Sequence, residues 1–183
     1  MNAARSLFCC MSILLGSVLA TVAVGADDLA AERGAELLDP FKKELKQALL
    51  AGMQSGPESA ISVCKEKAPS IASALSVDGV LVGRTSHKLR NPANTAPGWV
   101  TPVLEAYLSE GSDRTPAVVP LADNRIGYVE PIVIQALCLN CHGDAVQQGL
   151  AARIREDYPE DEATGFSIGD LRGVFWAEFP YSH

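Results

Sequence analysis

The sequence is short of positive charge. It carries 15 Lys+Arg against 22 Asp+Glu, a formal net charge of −7. Nucleic-acid binding needs a cationic face against phosphate, so that class of function is excluded. Long apolar runs are also scarce. Leu7 to Val24 is the single apolar run long enough to reach across a bilayer as a helix, so a bundle of several membrane-spanning helices is excluded. There is no internal repeat and no low-complexity tract, which sets aside solenoids and disordered linkers. No phosphate-binding loop and no nucleophile–base pair is found, so the usual hydrolase and phosphoryl-transfer signatures are missing. Sulfur and imidazole are sparse: five Cys, three Met and three His in 183 residues. Scarcity makes each of them informative.

What is present begins with export. Arg5 precedes the apolar run, and Val24-Gly25-Ala26 places small residues before Asp27-Asp28. That order reads as a secretory signal over residues 1–26, cleaved after Ala26, with residues 27–183 forming one domain in the periplasm. The bland alternative is an uncleaved anchor, which would be the chain's one route to a membrane. Cleavage removes Arg5, Cys9 and Cys10, leaving Cys64, Cys138 and Cys141. Three cysteines in an oxidising compartment cannot all pair with one another, so at least one has another role.

Periodicity then predicts the elements. Leu38, Phe41, Leu45, Leu49 and Met53 recur at helical spacing, giving a helix over roughly Leu29 to Met53. Gln54-Ser55-Gly56 ends it, and Pro57 suits the first position of a second helix. Ile61, Cys64, Ala68, Ile71 and Leu75 form the apolar stripe of that helix, which Pro69 is expected to kink or split. Gly79 to Ser86 reads as a strand, Asn91 to Gly98 as a turn-rich loop, and Trp99 to Leu108 as a short helix. Strands follow at Ala117–Pro120 and Ile126–Ile134 around an Asp123-Asn124 turn, with a final strand at Gly173–Phe179. Val146, Leu150 and Ile154 mark one more helical face. Helices first and strands later predict an α+β fold with an antiparallel sheet.

Cys138-Leu-Asn-Cys141-His142 carries the chemistry. Cys-x-x-Cys-His is the attachment signature of c-type haem. Two thiols three positions apart reach one porphyrin edge and add to its vinyl groups, while the adjacent imidazole supplies a proximal iron ligand. Gly143 leaves room for close approach. A structural zinc site wants a second ligand pair at similar spacing, and none exists. A thioredoxin-like pair wants a βαβ setting. A plain disulfide at this spacing closes a small loop and stabilises little.

The second iron ligand is open on residue type alone. Cys64 lies on an apolar stripe and reads equally as an inert core thiol or as a thiolate ligand. Met53 reads as a core methionine or a thioether ligand. His87, between Ser86 and Lys88, reads as solvated, and His183 is terminal. Arg84 and Arg90 are candidates to pair with haem propionates, since guanidinium matches carboxylate geometry; binding loop backbone is the plainer role. Asn91 and Asn94 suit loop turns. Trp99 reads as core packing before macrocycle packing.

One ordered set of motifs goes further. Val63-Cys64-Lys-Glu-Lys-Ala68-Pro69 is followed by Gly83-Arg84-Thr85-Ser86 and Leu89-Arg90-Asn91-Pro92-Ala93-Asn94. Then come Pro131-Ile-Val, the haem motif, Tyr158-Pro159 with Asp161, Ala163-Thr-Gly165 and Gly169-Asp170-Leu-Arg-Gly173. Together these resemble a haem family first described in cyanobacteria as a domain of unknown function. The resemblance implies a PAS-like fold, N-terminal helices on an antiparallel sheet, with one covalently attached haem c. It also implies His142 and Cys64 as the two metal ligands, with Cys138 and Cys141 holding the porphyrin.

Such a six-coordinate iron has no free site for substrate, which argues against an enzyme. The expected function is redox chemistry or electron transfer with a partner protein. The alternative is a redox or gas sensor that signals through a separate output protein.

Overall fold

The computed structural model describes residues 25–181. The segment read as a signal lies, but for its last two residues, outside the described residues, as does His183. Two helices open the fold, α1 (Ala26–Gln54) and α2 (Pro57–Leu75), with Ser55-Gly56 between them. Gly56 has φ 110°, a left-handed setting suited to glycine, and Pro57 takes the first helical position of α2. α2 runs through Pro69 as one helix, so of the kink or split expected there the split does not occur. The ring removes one intrahelical donor, and burial of Ala60, Ile61 and Ala68 holds the helix together across that gap. α1 likewise runs through Pro40.

The sheet holds β1 (Leu81–Thr85), β2 (Ala117–Leu121), β3 (Arg125–Val133) and β4 (Leu171–Pro180), all antiparallel, in the order β1-β4-β3-β2. The fold is therefore α+β, as the element order predicts. Asp123 and Asn124, both at positive φ (55° and 54°), form the tight turn between β2 and β3.

Alternation along the strands loads both faces. Val82, Ile126, Tyr128, Ala177 and Phe179 pack under Leu38, Phe41 and Leu45 of α1. Val129, Leu171 and Val174 pack on the other face under Val100, Leu104 and Tyr107, from or beside α3 (Thr101–Leu108). Gly127 exists because Trp99 lies on it: an added Cβ would stand 2.5 Å from the indole Cζ3. The Trp99 Nε1 donates to Glu178 Oε2 at 2.9 Å. Trp99 is thus half-buried against the core, on the sheet face away from α1.

After β3 the chain makes a 3-10 turn (Ala136–Cys138), the one-turn helix α4 (Leu139–His142) and α5 (Gln148–Asp157). α5 packs against α2, and Lys65 Nζ meets Asp157 Oδ1 at 2.9 Å. The Cys-x-x-Cys-His segment thus lies between the end of β3 and α5, with Cys138, Cys141 and His142 half-buried.

Candidate functional site

Cys138, Cys141 and His142 occupy consecutive turns of one short segment. Cys138 packs with Ile134, Ala163 and Phe166, and Cys141 with Ile61, Leu150, Ile154 and Tyr158. The two thiols thus border separate apolar clusters. Neither they nor Cys64 forms a disulfide. Gly143 has a local reason of its own: a Cβ there would lie 2.8 Å from the Leu139 carbonyl oxygen.

His142 is fixed rather than free. Its Nδ1 lies 2.7 Å from the Ala163 carbonyl oxygen, which assigns the proton to Nδ1 and leaves the Nε2 lone pair for a ligand. The Phe166 ring meets it edge-on at 6.3 Å. Backbone bonds from Gly165 N to Gly143 O (3.1 Å) and Phe166 N to His142 O (3.0 Å) hold the two segments side by side. Burial, then the Arg172 and Arg90 charges, push its pKa down to about 3, so the imidazole is neutral at physiological pH.

Arg90 clamps the same segment. It donates Nε to Asp161 Oδ1 and Nη2 to Asp161 Oδ2, both at 3.1 Å, and Nη2 also reaches the carbonyl oxygens of Cys141 (2.6 Å) and Ala163 (3.3 Å). Asp161 Oδ1 in turn accepts the Ala163 amide at 2.9 Å. The donors Nε and Nη2 of Arg90 are therefore spent on the protein, and its place is under the motif backbone. Arg84 differs. It lies half-buried on β1, its side chain with no hydrogen bond or ion pair to any described residue.

Cys64 and Arg84 line one cavity of about 260 Å³, with Phe41, Ala68, Asn91 and Trp176 among its walls. Asn91 shapes that wall, its Oδ1 accepting from Ala93 N at 3.0 Å. Met53 borders a second hollow of about 550 Å³ beside Leu139, Asn140 and Gly143. His87 is exposed, with its ring 5.8 Å from Phe166. Burial of Cys141 raises its thiol pKa, and a thiolate at Cys64 or Cys138 acts in the same direction. Cys64 therefore shares the electrostatic neighbourhood of the motif.

Sequence reasoning missed Arg172. Its Nη1 donates to the Lys88 carbonyl at 3.1 Å, and its guanidinium stands 5.5 Å from the Phe166 ring centre. Burial and the charges of Arg84 and Arg90 lower its pKa to about 10. Three guanidinium groups thus act on one another, and Asp161, paired with Arg90, is the nearby carboxylate that partly offsets the shift at Arg172. A polar residue inside the Gly169–Gly173 strand entry was the available signal. Asp161 and Tyr158 stand within the ordered motifs, but nothing in their spacing names a role.

These residues fit haem c. The thiols are free, Nε2 of His142 is prepared for metal, and the surplus positive charge suits two propionates. Among the described residues no three His, Cys, Asp or Glu side chains lie close enough to hold a metal ion. An iron held by His142 and Cys64 would need ring nitrogens for its other positions, which a porphyrin brings. No helix among the described residues is long and apolar enough to cross a membrane.

Comparison with known proteins adds the ancestry. A family model described as Tll0287-like matches residues 21–180. The crystal structure of the cyanobacterial heme-protein Tll0287 resembles this fold with a TM-score of 0.53 and 24% sequence identity, over 78% of this chain and 92% of that one. No curated protein matches the sequence.

Proposed function

The chain belongs to the Tll0287-like family, and from that membership we propose that it is an exported, single-haem c-type cytochrome that transfers electrons to or from a partner protein. The carrying observation is the bond between His142 Nδ1 and the Ala163 carbonyl. It pins the imidazole in the tautomer that presents Nε2, the arrangement seen behind metal-bound histidines generally. The solved relative is described as a heme-protein, which supports the same cofactor here.

When bound, the haem supplies one-electron chemistry at iron. Cys138 and Cys141 hold it by thioether bonds, and Cys64 from α2 is the second ligand. Arg84 receives a propionate, with Arg172 adjoining it. Arg90 holds the motif backbone and leaves the anionic groups to the other two. Residues 1–26 direct the chain to the periplasm, where thioether attachment takes place.

The test is electron paramagnetic resonance of the oxidised, haem-loaded protein against Cys64→Ala. A low-spin thiolate-type signal that disappears on substitution is the expected result. A signal that survives unchanged removes Cys64 from the iron. Carbon monoxide added to the reduced protein separates transfer from sensing: no uptake with fast reversible reduction is expected, and rapid displacement of a ligand would favour the sensor.

A further inference from the structure

We propose that His87 is the electron port of this chain, joined to His142 through Phe166, and that the surface around it docks a redox protein whose own centre is ringed by carboxylates. This rests on the reading of the chain as an electron carrier with iron on His142.

Phe166 is buried, 5% exposed, and its ring touches both histidines. It meets His142 edge-on at 6.3 Å and His87 edge-on at 5.8 Å, separations at which rings are in contact. Its amide also donates to the His142 carbonyl oxygen at 3.0 Å. His87 is exposed, so one buried ring separates the candidate iron ligand from a side chain that meets solvent. His87 is not loose. Ser86 Oγ donates to the Arg172 carbonyl oxygen at 2.5 Å, and Arg172 Nη1 donates to the Lys88 carbonyl oxygen at 3.1 Å. The residues on both sides of His87 are thus tied to one residue of β4, which holds the imidazole against Phe166.

The charge around this exit is opposite in sign to that of the chain. Lys88 Nζ stands 5.1 Å and the Arg172 guanidinium 5.5 Å from the Phe166 ring centre. Partial burial of the imidazole, then Lys88, then Arg172 push the His87 pKa down, and Asp170 opposes them less. Asp170 also spends Oδ2 on the Ser167 amide at 2.7 Å. Ile168, 66% exposed on the same loop, adds an apolar contact. The whole sequence carries a formal charge of −7. An acidic partner is therefore repelled by the general surface and steered to this spot. Once docked, His142, Phe166 and His87 carry one electron between iron and the partner's oxidised centre; no bond forms or breaks and no proton moves.

The experiment oxidises the reduced, haem-loaded protein with ferricyanide, a trivalent anion, and with tris(phenanthroline)cobalt(III), a trivalent cation. Ionic strength is raised from ~0.1 M, where screening leaves local charge in control. Ferricyanide should slow as salt rises, and the cobalt complex should not. Lys88→Glu should cut the ferricyanide-to-cobalt rate ratio about tenfold; the ratio cancels any change in driving force. The same change at Lys46, exposed on α1, should leave the ratio alone. Redox-inert hexacyanochromate(III) should broaden the imidazole proton signals that His87→Ala removes. Ferricyanide oxidation that quickens with salt, an equal response to Lys46→Glu, or His87 signals untouched by the chromium anion overturns the proposal. A chain that takes up no haem, or that keeps its iron spectrum in His142→Ala, fails differently: it overturns the reading of His142 itself.

Discussion

Arg90 meets Asp161 at two points, Nε on Oδ1 and Nη2 on Oδ2, each at 3.1 Å, and both side chains are largely shielded, 12% and 6% exposed. Two-point pairing of this kind fixes direction as well as distance. The fixed guanidinium then holds the Cys141 and Ala163 carbonyls, and Ala163 orients His142. Arg90→Met leaves the Asp161 carboxylate enclosed without its partner. Removing one member of a buried pair costs roughly 3–5 kcal/mol. Urea unfolding of the variant should show a loss of that order; a loss below ~1 kcal/mol would mean that the clamp is ornamental.

How much of this was legible beforehand follows from the kind of signal each residue leaves. The haem motif is local in sequence, so Cys138, Cys141 and His142 could be named from spacing. The helices, strands and the Asp123-Asn124 turn left periodic or turn-type patterns, and the structure has them within a few residues. Family membership was legible too, from an ordered set of short motifs. Contacts between distant segments were not legible. Arg90 reaches Asp161 across 71 positions, and no single-sequence pattern reports such a pair. Its spent donors are why the proposed propionate role falls to Arg84 and the unforeseen Arg172. Of the kink or split that Pro69 suggests, the split fails because local helix rules weigh a lost hydrogen bond but not the packing that offsets it.

Gly83 should tolerate no side chain. A Cβ there would stand 2.3 Å from Trp176 Cζ2, and Trp176 borders the Cys64 cavity. Gly83→Ala must push the indole aside. Overpacking of this sort costs about 1–3 kcal/mol. Thermal unfolding should register that loss, and the tryptophan emission should shift with it. A variant as stable as the parent, with unchanged emission, would show that the indole moves freely.

Covalent attachment makes a chemical prediction. Cys138→Ser/Cys141→Ser should lose pigment to acid acetone completely, while Cys64→Ala should retain it, because Cys64 is assigned to iron and not to the porphyrin edge. A haem stain after denaturing electrophoresis reads both. Retention of pigment by the double variant would break the assignment of the two motif thiols.

Arg84 tests the propionate reading by sign. The residue is half-buried beside the Cys64 cavity without a carboxylate partner. A fixed positive charge near iron opposes the more positive ferric state, so its removal must lower the potential. Arg84→Met should therefore favour ferric iron, by roughly one decade in the ferric–ferrous ratio or ~59 mV for one electron. Arg84→Lys keeps the charge but not the planar fork, and should recover most of the potential while leaving the haem more readily displaced from its seat. Partial burial limits screening, so the Arg84→Met shift should persist as salt is raised. A shift of the opposite sign, or one abolished by moderate salt, would place Arg84 in solvent and return the propionates to other partners.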